Sequence, residues 1–418
     1  MKRMLLAGLV LALAPVAAFA AEPDGLVLPP GFHASVVASG LMGIRHLAIR
    51  RDGVIYASTR GAPAGAGIIA LHLGPDHAAD HVARFGDVTS GTGIRFYHGA
   101  LYAASPTAIW RFTFKPGEIV PSAAPVKIVD GMPGTPFLNR IVTFDGKGGL
   151  LVSVGGTGNI CVAPHTPKGR KPVGLHPCPG VEGRGGVWRF RADKPDQHFP
   201  ADGTQIATGL RDMDAEDWRR GDALYGIMQD RNGTHATWPE LVSAEDETHI
   251  AEEMHRIVKG TNMGWPYTYY DGARHVRLMA PEYGGDGKVQ PPPGLYATPV
   301  VAFQPSHGAP LDLVFYYGRQ FPARYRGGAF VIRHGGLGPD LPQGHGGYDI
   351  LFIPFGAHGR PGAPQTFADG FAGPTPAFKN VDKAAYRPVG GAVGPDGALY
   401  VSDSQKGRVW RIFYDGRN

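Results

Sequence analysis

Short stretches in which apolar residues alternate with small or polar ones recur along the chain, and a glycine turn precedes each of them. Six copies share one phrase: RDGVIYAST (51–59), YHGALYAAS (97–105), GKGGLLVSVG (146–155), RRGDALYGIM (219–228), YRGGAFVIRH (325–334) and GPDGALYVSD (394–403). A period of two residues with bounding glycines is typical of short β-strands. Six copies of such a phrase indicate a repeat architecture.

A second phrase follows three of the copies and predicts the next strand of the same small sheet. It reads AIWRFTF (108–114), GVWRFRA (186–192) and RVWRIFY (408–414). Six four-stranded antiparallel sheets around a channel form a six-bladed β-propeller, which leaves only short, protected sheet edges. We expect FHASVVASGL (32–41) to complete the last blade and close the ring. Two stacked β-sandwiches are the competing arrangement, but they predict no six-fold recurrence. We therefore predict an all-β fold with one propeller domain over residues 21–418.

One stretch has a helical pattern. Ser243 is a candidate N-cap with Asp246 three residues on, and the apolar residues that follow fall on one helical face. They are Ile250, Met254, Ile257 and Val258, and the pattern ends at Gly260. We predict a short helix here, within a loop of the propeller.

The chain begins with the pattern of a secretory signal peptide. Lys2 and Arg3 precede the apolar run 4–14, and Ala-Phe-Ala at 18–20 is a small-x-small cleavage signal. The prediction is a signal peptide over residues 1–20. No later apolar run reaches the roughly 18 residues that a transmembrane helix needs. We expect a protein exported to the periplasm or secreted, without a transmembrane segment after cleavage.

Composition supports this picture. The chain has 62 Gly and 38 Pro but 43% hydrophobic residues, which favours a turn-rich β fold over disorder. The net charge of +5 is mild and no basic run accompanies it, so we expect no nucleic-acid partner.

The two cysteines, Cys161 and Cys178, favour a disulfide over two free thiols in an oxidising compartment. Closing the loop between them would contribute roughly 3 kcal/mol to stability. The chain has no Cys-x-x-Cys-His motif, which excludes covalently attached haem.

Several polar residues are predicted to converge on the central funnel, because each precedes the innermost strand of a blade. They are Arg45, Arg140, Arg211, His307 and Arg387. Four guanidinium groups at one funnel repel one another unless an anion lies among them, and Arg suits bidentate binding of carboxylates. This favours a planar ligand with several carboxylates. The alternative is that each Arg braces a neighbouring blade through a carboxylate such as Asp212, Asp214 or Asp230.

Two histidines are candidate general bases. His307 precedes an inner strand, and His334 is the last residue of the fifth copy of the repeat. Histidine changes its charge near neutral pH, which suits it to proton transfer. A purely structural role is the alternative for each of them.

At these residues the sequence resembles the glucose/sorbosone dehydrogenase family, β-propeller quinoproteins that use pyrroloquinoline quinone (PQQ) on exported sugars and aldehydes. The matching stretches include TGLRD (208–212), HRIVKGTNMGWPY (255–267), SHGAPLDLVFYYGRQFPARYRGGAFVIRHG (306–335) and YRPVGGAVGPDGALYVSD (386–403). The Gly-Trp-Pro at 264–266 and the Arg-Pro at 387–388 carry the most information.

The resemblance implies that a base takes the hydroxyl proton of the sugar while hydride passes to PQQ, whose carboxylates are held by cationic side chains. Arg211 matches the arginine of the family's Gly-Leu-Arg-Asn motif, Arg140 that of its His-x-x-Arg motif, and Arg387 an arginine near the cofactor. The predicted PQQ-binding residues are therefore these three arginines together with Arg45 and Asp212.

Three departures from the family stand out. The histidine of His-x-x-Arg, which is the family's base, is replaced by Phe137. The asparagine of Gly-Leu-Arg-Asn is replaced by Asp212, which adds negative charge. In the family's soluble glucose dehydrogenases, the carbonyls of a Gly-Pro hold calcium, and this chain has no counterpart of that Gly-Pro before Glu252 and Glu253. Calcium is therefore left open as a second cofactor in addition to PQQ, with backbone ligands from other residues.

The leading hypothesis is an exported, sorbosone dehydrogenase-like quinoprotein that oxidises a sugar or sugar-derived aldehyde or alcohol, with His307 or His334 as the base. The first alternative is a non-catalytic propeller that acts as a ligand-binding or interaction module. A propeller hydrolase such as a lactonase is a third hypothesis, but the acidic calcium ligands that it needs are sparse. The sequence names neither the substrate nor the electron acceptor.

Overall fold

The structure is a computed structural model, and it describes residues 20–21, 23–88, 90–336, 346–356 and 359–417. Apart from Ala20, the predicted signal peptide lies outside the described residues and stays a prediction. Among the described residues, no helix is long and apolar enough to cross a membrane.

The chain runs through small antiparallel sheets in sequence order. Before the first blade come β1 (Ala20–Ala21), β2 (Val27–Leu28) and β3 (Phe32–Ala38). The first blade contains β4 (Ile44–Ile49), β5 (Ile55–Thr59), β6 (Ile68–Leu73) and β7 (Ala79–Phe85). The second contains β8 (Ile94–Tyr97), β9 (Ala100–Ala104), β10 (Ile109–Phe112) and β11 (Val126–Asp130). The third contains β12 (Val142–Phe144), β13 (Gly149–Val154), β14 (Gly186–Arg191) and, after β15 (Gln197–His198), β16 (Thr204–Thr208).

The second half of the chain repeats this plan. The fourth blade contains β17 (Met213–Trp218), β18 (Leu224–Met228), β19 (Glu252–Ile257) and β23 (Val301–Phe303). Between β19 and β23 the chain forms three short strands outside this blade, β20 (Thr261–Asn262), β21 (Thr268–Asp271) and β22 (Val276–Met279). The fifth contains β24 (Pro310–Phe315), β25 (Ala329–Arg333), β26 (Asp349–Ile353) and β27 (Gln365–Ala368). The sixth contains β28 (Pro388–Val393), β29 (Leu399–Asp403) and β30 (Val409–Tyr414).

This is the predicted six-bladed β-propeller, and the repeat phrase has a structural meaning. Its six copies end in β5, β9, β13, β18, β25 and β29, the second strand of each blade. The second phrase forms the third strand of its blade in all three cases. Two blades depart from the predicted four strands, because β15 pairs in parallel with β11 and β20 pairs in parallel with β16.

The first strand of the ring closes it, as predicted. β3 pairs antiparallel with β30 and becomes the outer strand of the sixth blade. Phe32 at its start is completely buried, and its ring contacts Phe321, Tyr325 and Phe367 edge-on. The N-terminal strand therefore contributes backbone pairing to one blade and apolar packing against its neighbour.

The hydrophobic core is divided among the blade interfaces. Six large buried clusters each combine residues of two neighbouring blades. Consecutive residues of a second strand face different clusters, as Leu150 and Leu151 do. Because both faces of these strands are buried, they read as continuous apolar runs.

The predicted helix is correct only at its beginning. The described ranges contain two short helices, α1 (Thr234–Thr237) and α2 (Ala244–His249), and 3-10 turns at Pro23–Gly25, Pro281–Tyr283, Ala323–Tyr325 and Pro376–Phe378. Ser243 caps α2 in a capping box with Asp246, as predicted. The helix ends at His249, however, and the residues from Glu252 onward form β19. On that strand Met254 and Ile257 lie three residues apart and pack into different clusters, so pairing with β18 overrides the helical spacing.

The disulfide prediction is confirmed, because Cys161 and Cys178 are bonded to each other. Both cysteines are buried in the cluster between the third and fourth blades. The bond ties the long loop after β13 to this interface.

Replacing Phe32 with Ala should destabilise the ring. The side chain is fully buried, so we expect the free energy of unfolding to fall by about 4 kcal/mol, measured by denaturant titration. Val36 on the same strand is 37% exposed, and Val36→Ala is the control, with an expected cost below about 0.5 kcal/mol. Equal losses for the two variants would contradict the assigned packing of β3.

Candidate functional site

The inner strands of all six blades surround the propeller axis. They follow one another in the order β4, β8, β12, β17, β24 and β28, and β28 again contacts β4. At the end where these strands begin and the second strands finish, the chain encloses a cavity of about 310 Å³. Its wall includes the predicted residues Arg45, Arg211, Asp212, His307, His334 and Arg387.

Four guanidinium groups line the cavity: those of Arg45, Arg60, Arg211 and Arg387. Arg45 is buried, and its Nε has no hydrogen-bond partner among the residues that the structure describes. Burial, and then the nearby positive charge of Arg60, lower the pKa of Arg45 to about 10. A buried, unpaired guanidinium beside others is unfavourable unless an anion completes the site.

The carboxyl groups of the wall compensate only part of this charge. Asp214 accepts a hydrogen bond from Asn139 Nδ2 at 2.9 Å. Burial, and then the neighbouring Asp212, raise the pKa of Asp214 to about 8. Burial also raises the pKa of Asp212 to about 6, against the lowering effect of Arg211. Because burial disfavours the charged form of both carboxyls, the four guanidinium groups leave the cavity with an excess of positive charge.

Arg140 does not lie at the cavity, and its predicted position at the funnel mouth is corrected. Its side chain is completely buried and donates hydrogen bonds to the carbonyl oxygens of Phe137, Asn139 and Pro133. It holds the loop before β12 in place through these carbonyl oxygens, which differs from the alternative of a carboxylate contact with a neighbouring blade. The loop residues Phe137 and Asn139 do line the cavity.

Phe137 stands where the family resemblance implies a base, and it contacts a cation instead. The Arg211 guanidinium lies over the Phe137 ring, with its Cζ 5.3 Å from the ring centroid. Arg211 Nε also donates to Asn159 Oδ1 at 3.1 Å. Phe137 therefore helps to fix Arg211 by a cation–π contact, and it cannot accept a proton.

His307 is held as a cation. Its Nδ1 lies 2.5 Å from Asp230 Oδ2, and its Nε2 lies 3.9 Å from Glu247 Oε1. Burial acts to lower the pKa of His307, but Asp230, helped by Glu252 and Glu247, raises it to about 9. At neutral pH His307 is an imidazolium, so it suits binding of an anion and is unavailable as a base.

His334 is in the opposite state. Burial lowers its pKa well below the ordinary value, and the positive charges of Arg387 and Arg45 lower it further. Its Nε2 and Ser404 Oγ form a hydrogen bond of 2.8 Å. At neutral pH His334 is a neutral imidazole in the cavity wall, which is the form that accepts a proton.

Metal ligands are not gathered at the cavity. In the described part of the chain, the close group of potential metal ligands is Asp246, His249 and Asp271, and Arg274 forms ion pairs with both aspartates. Of the pair at the sequence position implied for calcium, Glu252 accepts from the backbone N–H of Ala309, and Glu253 pairs with Arg277. The side chains present do not form a preorganised calcium site.

Several wall residues have a sequence signal but are not among the predicted site residues. Arg60, Gln229 and His334 each come directly after the second strand of a blade and line the cavity. Of these three, His334 alone is a predicted residue. The same offset from the repeat phrase would have identified Arg60 and Gln229.

Comparison with known proteins gives a sequence match over part of the chain and a similarity of fold over almost all of it. Residues 293–414 match the family model described as TrAA12-like. No curated protein matches the chain.

Three solved structures resemble the chain over almost its whole length. The calcium structure of the Trichoderma reesei carbohydrate-active enzyme of family AA12 has a TM-score of 0.73 at 18% identity, covering 93% of this chain and 97% of that one. The holo PQQ domain of Coprinopsis cinerea pyranose dehydrogenase has a TM-score of 0.70 at 19% identity and covers 93% and 97%. The PQQ-bound aldose sugar dehydrogenase of Streptomyces coelicolor has a TM-score of 0.56 at 17% identity and covers 93% and 100%. These structures confirm that the chain has the fold that the sequence resemblance implies.

Changing Asp230 to Asn should lower the pKa of His307 from about 9. The reason is that the carboxylate which stabilises the imidazolium is removed. The interaction stabilises the fold fully below the ordinary pKa of histidine and is lost as pH rises through about 9, so the variant should lose stability at pH 6 and little at pH 10. The measurement is an NMR titration of the imidazole together with thermal unfolding at both pH values. Exposed Asp286→Asn is the control, and an unchanged His307 titration in Asp230→Asn would contradict the assignment.

Proposed function

We propose that this protein is a PQQ-dependent oxidoreductase that acts on a sugar or a sugar-derived aldehyde or alcohol. The observation that carries the proposal is the group of guanidiniums in the cavity, with Arg45 Nε unpaired. PQQ is a planar anion with three carboxylates, and arginine binds carboxylates in pairs of hydrogen bonds. The TrAA12-like match and the named activities of the similar structures support the same conclusion.

The cavity residues fit PQQ in charge and in donors. Arg45 and Arg387 come from adjacent blades, whereas Arg211 approaches from the fourth blade, so cationic groups reach the cavity from more than one side. His307 adds a further positive charge at neutral pH. A tricarboxylate would supply acceptors for Arg45 Nε and His307 Nε2, which have no hydrogen-bond partner among the described residues.

When bound, PQQ supplies the acceptor of a hydride from the C–H group that is oxidised. The chain must then provide the base for the hydroxyl proton, and we assign this role to His334. Its imidazole is neutral, lies in the cavity wall and is oriented by Ser404. An anion bound among Arg387 and Arg45 would offset their charge and raise the pKa of His334, which makes it a stronger base in the loaded protein.

We assign His307 and Arg211 to charge stabilisation. Both are cationic at the cavity wall, and each is fixed by an immediate neighbour, Asp230 for His307 and Phe137 for Arg211. Preorganised cations at the position where negative charge develops lower the barrier to reaction. The replacement at position 137 is then compatible with catalysis, because the base lies elsewhere.

Calcium beside the cofactor stays a prediction. The side chains of the described cavity wall do not form a close group of metal ligands, so a calcium ion there would depend on ligand oxygens and backbone carbonyls. We derive no step through it.

Export and the substrate type complete the proposal. The signal-peptide pattern and the disulfide both fit an oxidising compartment such as the periplasm. Within the class, a sorbosone dehydrogenase-like activity remains the specific hypothesis for substrate screening, together with aldoses. Candidate electron acceptors are tested with a panel of one-electron dyes.

A non-catalytic binding module is the second candidate, and Phe137 is the observation that favours it. Reconstitution separates the two candidates: PQQ binding with sugar-dependent dye reduction supports the enzyme. Binding without turnover of any aldose or aldehyde supports the module, and Phe137→His is then the variant to test for recovered rate. Failure of PQQ to bind contradicts both the cofactor and the enzyme.

Arg45→Met and Arg387→Met should each weaken PQQ binding by roughly 10-fold to 100-fold, because each removes charge-assisted hydrogen bonds. Calorimetric titration of the PQQ-free protein measures the affinity. Exposed Arg191, paired with Asp193 on the third blade, provides the matched control Arg191→Met with wild-type affinity. If both cavity variants bind as tightly as this control, the guanidiniums do not hold the ligand.

His334→Gln should lower kcat by roughly 100-fold to 10,000-fold, the usual contribution of a general base, while PQQ affinity stays within about 3-fold of wild type. Gln keeps a polar group near Ser404 but cannot accept the proton. Ser404→Ala, which removes only the orienting hydroxyl, should have a smaller effect. A wild-type rate in His334→Gln would show that another group is the base.

A further inference from the structure

Asn159 contacts two residues of the cavity wall at once. Its Oδ1 accepts hydrogen bonds from Arg211 Nε at 3.1 Å and from the backbone N–H of Asn232 at 3.0 Å. Its Nδ2 donates to the carbonyl oxygen of Asn232 at 2.7 Å. Arg211 and Asn232 both line the cavity of the candidate active site. A single side chain therefore connects the residues just before β17 with the loop after β18.

The segment that carries this asparagine lies directly against Arg211. We call residues 155–161 the glycine-rich segment. The backbone N–H of Gly156 donates to the carbonyl oxygen of Arg211 at 2.9 Å. A Cβ atom at Gly155 would lie 2.8 Å from Phe137 and 2.9 Å from the same carbonyl oxygen, which is closer than side chains allow. Glycine at position 155 therefore permits the close approach of the segment to Arg211.

The backbone of the glycine-rich segment is held in place at Asn159 and beyond it. Trp265 Nε1 donates to the carbonyl oxygen of Asn159 at 3.1 Å. Two residues later, Cys161 is bonded to Cys178, and its carbonyl oxygen accepts a hydrogen bond from the Tyr283 hydroxyl at 2.9 Å. Trp265 and both cysteines are buried in one apolar cluster. Asn159 thus extends toward Arg211 from an anchored backbone.

The contacts of Arg211 leave the end of its guanidinium open to a ligand. Asn159 accepts from Nε, and the Phe137 ring lies against the face of the group. Among the described residues, no hydrogen bond joins either Nη atom of Arg211 to another protein group. The Nη atoms can therefore donate paired hydrogen bonds to a carboxylate or an oxyanion. Asn159 and Phe137 orient this end of the group without occupying it.

We propose that Asn159 is a positioning residue that sets the direction of the Arg211 guanidinium in the candidate active site. The proposal rests on the proposed oxidoreductase function, in which Arg211 stabilises negative charge. A cationic group lowers the free energy of a bound anion or a transition state most when its N–H groups already point at the charge. Asparagine suits this role because its amide accepts from Arg211 and donates to Asn232 at the same time.

The first test needs no cofactor. The NMR signal of the Arg211 Nε–H group, identified by its absence in Arg211→Met, reports the exchange of this hydrogen with water. Asn159→Ala removes the acceptor, so we expect the exchange to become at least about 10-fold faster. Asn159→Asp keeps an acceptor oxygen at this position and should retain the slow exchange. Wild-type exchange in Asn159→Ala, or fast exchange in Asn159→Asp, would overturn the proposal.

The second test is a double-mutant cycle on PQQ affinity, measured by calorimetric titration. We expect Asn159→Ala to weaken PQQ binding roughly 5-fold, because the Arg211 guanidinium loses its fixed direction. Adding Asn159→Ala to Arg211→Met should change the affinity by less than about 2-fold, since Asn159 acts through Arg211. A merely structural role of Asn159 predicts the same loss in both backgrounds, and equal losses would overturn the proposal.

Asn380→Ala is the matched control for both tests. The Asn380 Oδ1 also accepts a backbone N–H, from Asp382 at 2.9 Å, on the loop between β27 and β28. This variant should keep the wild-type exchange of the Arg211 Nε–H group and the wild-type PQQ affinity. A change in either readout as large as that of Asn159→Ala would contradict a specific contact between Asn159 and Arg211.

Turnover of the PQQ-loaded protein separates this proposal from the proposed function. With saturating PQQ and sugar, Asn159→Ala should lower kcat roughly 10-fold and leave KM unchanged, because Arg211 acts on charge that develops in the transition state. A wild-type kcat in this variant would overturn the role in catalysis. If the wild-type protein binds no PQQ or oxidises no substrate, the proposed function fails. The exchange measurement on the PQQ-free protein then still decides whether Asn159 orients Arg211.

Discussion

Pairing of β3 with β30 is the constraint on which the rest of the structure depends. A propeller has no single core, because each of the six large apolar clusters exists only between two neighbouring blades. Without β3 the sixth blade would lose its outer strand and expose an edge that could pair with other chains. The burial of Phe32 against the fifth blade shows that closure also completes one of these clusters.

The closed ring also assembles the candidate site. Arg45 belongs to the first blade and Arg387 to the sixth, so the two cations approach each other only across the closing seam. Ser402 Oγ donates to the carbonyl oxygen of Arg45 across this seam at 2.5 Å. The energy that closes the ring therefore opposes the repulsion between like charges. The free energy gained by apolar packing at the blade interfaces therefore offsets the unfavourable burial of the Arg45 guanidinium.

Much of the fold could be predicted because the second strands are buried on both faces and each follows a glycine turn with a short apolar run. The failure at residues 250–258 has a physical cause: Met254 and Ile257 satisfy helical spacing, but neighbouring strands decide the structure. For the site, the offset from the repeat correctly placed Arg45, Arg211 and Arg387 at the cavity. It failed for Arg140, because a long flexible side chain can turn back to the carbonyls of its own loop. Charge states were beyond sequence reasoning, since they depend on burial and on neighbours from distant blades.

His307 and His334 illustrate this last point and change the meaning of Phe137. From the sequence they are equivalent candidates for a base, and Phe137 reads as the loss of one. In the structure, a carboxylate holds His307 protonated, whereas arginines keep His334 neutral. A histidine at position 137 would contact the Arg211 guanidinium that now lies over the Phe137 ring, so it would experience the same kind of positive field as His334. In the proposed oxidoreductase, His334 already provides the neutral imidazole beside these cations. The aromatic ring at position 137 is then free to position Arg211, a role that requires no proton transfer.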